Sequence, residues 1–110
     1  MMGKLPRPSQ GLAARILTEV GFEDRLIGYR FHMRLGAIST SLYSFEEVLN
    51  LLNDQHPRMD FVLLEKWIRE VMGDVELAER IKAIARKDFS DQGKTYRIRD
   101  LMAERLGQCK

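Results

Sequence analysis

The chain of 110 residues has one cysteine, Cys109, so no disulfide can staple it, and a reducing cytoplasmic setting is expected. Long apolar runs are missing as well. None approaches the roughly 20 residues that a helix needs to cross a bilayer, and the start MMGKLPRPSQ lacks the apolar stretch of a signal peptide. The two histidines, His32 and His56, are 24 residues apart. Neither has a Cys, Asp or Glu at ligand spacing on the same predicted face, so no metal site is expected. Gly21, Gly28 and Gly36 are isolated, which excludes a phosphate-cradling loop. Repeats and low-complexity tracts are absent.

Catalytic constellations are equally scarce. A nucleophile needs a base and an oriented pocket, and Cys109 beside Lys110 at the end of the chain has neither in view. Glu46 with Glu47, or Asp54 with Asp60, make poor acid/base pairs because each already has a cap or surface role. His56, beside Pro57 and near Asp60, reads as a loop residue that hydrogen-bonds locally. No cofactor is implied, and the expectation is a protein that is not an enzyme.

What is present suits one soluble domain: 45% apolar and 31% charged residues. Residues 1–8, with Pro6, Pro8 and Gly3, read as a flexible arm, residues 9–107 as a single helical domain, and 108–110 as a frayed tail. The net charge of +2 is unevenly spread. Residues 1–34 carry six basic and three acidic groups, 35–79 three and nine, and 80–110 nine and four, giving +3, −6 and +5. The basic ends either fold against the acidic middle or form an exposed basic surface. The first is favoured, because charges on compact domains are usually mixed.

The clearest local signals lie between Asp60 and Lys87. Asp60 is a suitable N-cap, and Phe61, Leu64, Ile68, Val71 and Met72 recur at helical spacing, with Leu63 and Trp67 widening the stripe. Such a stripe is expected to be core, with Trp67 buried in it. Gly73 stops the helix and Asp74 caps the next, whose face is Leu77, Ala78, Ile81, Ile84 and Ala85. Upstream, Ser9 caps a helix with Leu12, Ala13, Ile16, Leu17 and Val20, ending at Gly21. Ser44 and Glu47 form a capping box before Phe45, Val48, Leu49 and Leu52. Residues 88–94 read as a loop. A last helix carries Ile98, Leu101, Met102 and Leu106 and ends at Gly107.

The run from Trp67 to Asp74, followed by Glu76-Leu77-Ala78 and Arg80-Ile81, resembles a small prokaryotic domain of unassigned function. That domain carries an N-D-F motif and then W-[IV]-x-x-V-[LM]-G-[DE]-x-x-L-A. The similarity extends to Leu42, Phe45, Glu46 and Leu49 and to Ile98–Leu101, with Met59 where the pattern has Asn. It implies a domain type and no reaction.

Ile27, Tyr29, Phe31, Met33 and Leu35 alternate with Gly28, Arg30, His32, Arg34 and Gly36. Period two predicts a half-buried strand, with the aromatics facing the core and the basic residues outside. Its partner is Ile38–Leu42 folding back as a hairpin, or Lys94–Arg99, or the same strand of a second subunit. The expected fold is therefore mainly α (α+β): about five helices around one core, with one short strand or hairpin near residues 27–42.

The expected contact surface is the basic face Arg30, His32 and Arg34, joined by Arg97 and Arg99 if the two alternating segments pair. A Gly73-centred DNA-binding helix-turn-helix is disfavoured, because Arg69 and Glu79 fall where such a motif packs small and apolar residues. The functional expectation is a non-catalytic protein-interaction or regulatory module, with a protein partner or self-association and no membrane. The alternative is weak nucleic-acid binding by the basic ends.

Overall fold

The computed structural model describes residues 5–54 and 57–110. Five helices and a β-hairpin share one core, in the order α1 (Gln10–Ile16), β1 (Leu26–His32), β2 (Gly36–Leu42), α2 (Phe45–Leu52), β3 (Pro57–Arg58), α3 (Phe61–Trp67), α4 (Val75–Arg86) and α5 (Asp91–Cys109). A 3-10 turn at Phe22–Asp24 precedes β1, and a π-turn at Ile68–Met72 extends α3.

The caps form where side-chain oxygens can reach orphan amides. Ser9 Oγ accepts from Leu12 N at 3.1 Å, Ser44 Oγ from Glu47 N at 3.1 Å, and Asp60 Oδ1 from Val62 N at 2.9 Å. Gly73 ends the third helix with φ 77°, a conformation open to glycine. The wide last turn lets Asp74 N donate to Ile68 O at 3.0 Å and leaves the Val71 carbonyl free to accept from Arg15 Nε. Trp67 is buried, as its spacing predicts, and its indole N–H donates to Asp24 O at 2.7 Å. α1 is shorter than expected: it stops at Ile16, and Leu17 is half exposed.

The hairpin resolves the strand's partner in favour of residues 36–42. β1 and β2 pair antiparallel without a slip from Leu26 opposite Leu42 to His32 opposite Gly36, and Gly36 closes the turn at φ 76°. Two residues of β3 pair on the other side of β1, giving the order β2-β1-β3.

Burial alternates only over Leu26–Gly28, and there the face is reversed. Leu26 and Gly28 are the buried residues of β1, while Tyr29 and Phe31 are exposed. The cause is Gly28. A Cβ there would stand 2.3 Å from Leu51 Cδ2 and 3.2 Å from Leu42 Cδ1, so the absent side chain is what lets α2 lie close against the sheet.

Residues 94–99 are not a strand either. Ser90 Oγ caps α5 by accepting from Gly93 N at 3.1 Å, and the helix runs 19 residues, through the expected loop and past the expected stop at Gly107. The end of the chain is thus helical as far as Cys109. The expected arm is fixed from Leu5 onward. Leu5 is buried, its N–H donates to Glu104 Oε1 at 2.9 Å, and its carbonyl accepts from Gln108 Nε2 at 2.7 Å. No helix among the described residues is long and apolar enough to cross a membrane.

Candidate interaction surface

Beyond Gly28 the hairpin outruns α2, and its remaining β1 residues, Tyr29 to His32, are all exposed. At this end the sequence is apolar at every second position, so the chain presents large hydrophobic side chains to solvent. Met33 is 92% exposed, Leu35 72% and Phe31 49%, with Tyr29 and Ile38 close to half. Isolated exposed hydrophobics need no explanation, but here five lie on one hairpin, Ile38 opposite Arg30 on one face and Tyr29 and Phe31 on the other.

The basic residues expected to form one face are separated. Arg30 Nη1 is bonded to Asp54 Oδ2 at 2.8 Å, an exposed pair that joins β1 to the end of α2. It ties a basic end to the acidic middle of the chain. His32 is exposed and its Nδ1 accepts from Arg34 N at 3.2 Å, across the start of the turn. Arg97 and Arg99 lie on α5 rather than on a strand beside β1. The Arg97 guanidinium covers the Phe89 ring at 3.9 Å, and Arg99 sits 4.9 Å from the Tyr96 ring and bonds Asp100 at 3.3 Å. The five residues therefore do not share a sheet face. The structure brings together His32 and Arg34, on an apolar tip.

A cleft of about 740 Å³ opens between β1, the start of α3 and the start of α5. Asp54, Asp60 and Asp91 line it, with Arg58, Arg99 and the ring of Tyr96. Two of these carboxylates have structural duties: Asp60 caps α3, and Asp54 holds Arg30. The Thr95 hydroxyl in this cleft donates to the Asp91 backbone carbonyl at 2.8 Å, and no three His, Cys, Asp or Glu among the described residues come together to hold a metal. His56 lies outside the described residues. Burial pushes the Cys109 thiol above its ordinary pKa, partly offset by Arg105 nearby, which makes it a poor nucleophile at neutral pH.

One polar assembly escaped the sequence reading. Arg105, fully buried, donates from Nε to Asp74 Oδ2 at 2.8 Å and from Nη2 to Asp74 Oδ1 at 3.3 Å, while its Nη1 reaches Pro6 O at 2.6 Å and Gln108 Oε1 at 2.8 Å. Asp74 also accepts from Leu77 N at 3.1 Å. This one guanidinium ties the α3–α4 corner to α5 and to the N-terminal segment, and every polar atom of Asp74 has a partner, as burial requires. Its trace in the sequence is a charged residue within the apolar stripe Ile98, Met102, Arg105 and Leu106.

A second ionic cluster lies on the surface. Arg69 bonds Glu65 on its own helix and Glu79 on α4, the latter at 2.7 Å. The hydrogen bonds that Arg69 donates to these carboxylates raise its pKa, and the bond accepted from Arg69 holds the Glu79 carboxyl below the usual range.

Comparison with protein-family models, with curated proteins and with solved structures finds no match for the chain.

Proposed function

We propose that this protein is a non-catalytic interaction module that docks onto a protein partner through the tip of its β1–β2 hairpin. The carrying observation is the exposure of Phe31, Met33 and Leu35 on a hairpin that extends past the helix supporting its base. Leaving Met33 and Leu35 in water forgoes up to roughly 1.5–3 kcal/mol each relative to burial, a cost that a binding surface recovers on contact. A rigid helical body with a projecting apolar hairpin suits that role, since little of it needs to order on binding.

The carboxylates of the cleft add little to an enzymatic reading, because Asp54 and Asp60 are engaged in an ion pair and a helix cap. Nucleic-acid binding also loses support. Arg97 and Arg99 are on a helix, and Arg30 is paired with Asp54.

The test places a benzophenone side chain at Leu35, or at the exposed Val62 on α3 as a control, in the full chain expressed in cells. The expected result is a discrete adduct at position 35 that protease destroys and nuclease does not. It should disappear when Phe31 and Met33 are changed to Ser. An adduct no stronger than that at position 62 refutes the proposal. A nuclease-sensitive one replaces it with the nucleic-acid reading.

A further inference from the structure

The outer edge of β2 carries the second observation. β2 is the end strand of the sheet, seven residues long, and reads Gly-Ala-Ile-Ser-Thr-Ser-Leu. It has no charge and no proline, and its register with β1 shows no bulge. Natural sheets usually blunt such an edge with one of these devices, because a row of unpaired N–H and C=O groups accepts another strand. Resting on the reading of this hairpin as a contact surface, we infer that the strand it accepts is β2 of a second copy of this chain, paired antiparallel about a two-fold axis at Ser39.

The distribution of charge along the strand selects that occupant and that direction. One end of β2 is the tip, with His32 and Arg34 exposed in the connection. The other leads through Tyr43 into the first turn of α2, which carries Glu46 and Glu47. With Ser39 opposite the second copy's Ser39, Ile38 faces Thr40 and Ala37 faces Ser41. Arg34 then comes level with residue 44 of the other copy, next to those glutamates. Each basic tip meets an acidic helix start, twice by symmetry. A parallel arrangement would instead set tip against tip and repel.

The faces also agree. An axis normal to the sheet keeps both copies' Leu26, Gly28 and Leu42 on the side that α2 covers, and both copies' Tyr29 and Phe31 on the other. The product is a six-stranded sheet in the order β3-β1-β2-β2-β1-β3, in which the open edge has gone.

The area fixes the strength. Seven residues at about 3.3 Å each, over a sheet about 10 Å thick, give a strip of roughly 230 Å² per copy. Both strips together fall well below the roughly 1,000 Å² of a stable interface. Contacts of Met33 and Leu35 with the other copy's α2 add to this, so the association is weak and depends on concentration.

The test is sedimentation of the full chain over a wide concentration range, for the wild type, Ser39→Lys, Ser39→Glu and an equimolar mixture of the two variants. Ser39 is exposed, and circular dichroism checks that each variant is folded. The wild-type mass should rise toward twice that of the monomer. Each variant alone should remain a monomer, because like charges meet at the axis, and the mixture should associate at least tenfold more tightly than either. Amide exchange at residues 37–41 of the wild type should slow as concentration rises. A wild type that stays monomeric, a dimer indifferent to Ser39→Lys, a mixture that does not associate, or exchange at residues 37–41 that ignores concentration overturns the inference. If a protein adduct still forms at Leu35 while the wild type stays monomeric, the hairpin remains the contact surface and only its partner has been misassigned.

Discussion

Replacing Arg105 by Met tests how the helices are held together. The side chain is fully buried and donates four hydrogen bonds, two of them to Asp74. Met keeps most of the apolar stem but leaves Asp74 buried without its counter-charge and with its second oxygen unpaired. Breaking a buried pair from one side costs about 3–5 kcal/mol, against a total stability of about 5–15 kcal/mol for a domain of this size. With a urea slope of about 1–3 kcal/mol/M, the midpoint should fall by about 2 M. Asp74→Asn retains a good N-cap for Leu77 N but removes the charge, and it should also be costly because the guanidinium then lacks its counter-ion. The double variant should cost at least about 2 kcal/mol less than the two singles together, since it removes both charges at once. Urea denaturation of all four proteins measures this coupling. Additivity within about 0.5 kcal/mol would show that the pair is not what joins the α3–α4 corner to α5.

Other substitutions separate packing from exposure. Gly28→Val should cost about 1–3 kcal/mol by driving a side chain into Leu51, while Phe31→Asp in the exposed half of the hairpin should change stability by less than about 1 kcal/mol; thermal unfolding compares them, and the reverse order would restore the face expected from the sequence. Trp67→Ala should cost roughly 3–5 kcal/mol, and the wild-type tryptophan should emit at short wavelength; solvent-like emission from the folded protein would contradict its burial. The Glu79 carboxyl is held low first by its hydrogen bond and then by the charge of Arg69, with Lys82 and Arg86 adding to it. A depressed folded-state pKa stabilises above the unfolded value and is lost as pH falls through the folded one, so this contribution fades only below the ordinary glutamate range. In Arg69→Ala an NMR titration should find Glu79 moved back up toward that range, and an unchanged value would refute the bond.

The helix starts were legible because capping is local. Ser9, Ser44, Asp60 and Asp74 each act within three residues of their place in the sequence. Facing is not local. The alternation of residues 27–35 fixes two sides of a strand without saying which side a helix will cover, and the larger side chains argued for the wrong one. The deciding residue was Gly28, whose missing Cβ makes room for Leu51 from 23 positions away. The start of α5 failed for another reason. Over Lys94–Arg99 the apolar and polar residues alternate as in a strand, and only the longer rhythm of Ile98, Met102 and Leu106 with the Ser90 cap shows the helix. Arg105 was passed over because a charged residue is ordinarily placed in solvent, and its partners at Asp74 and Pro6 are far away in the chain. Between the basic residues of the hairpin, Met33 and Leu35 are the apolar side chains most exposed to solvent.

If the hairpin tip docks onto a partner, it is covered in the cell. In-cell oxidative labelling read by mass spectrometry tests this at one residue. Met33 is 92% exposed and should be oxidised rapidly in dilute purified protein. In cells producing the protein it should react several-fold more slowly relative to the exposed Val62, because a partner occupies the tip. Equal relative rates for Met33 in the two settings would contradict the account.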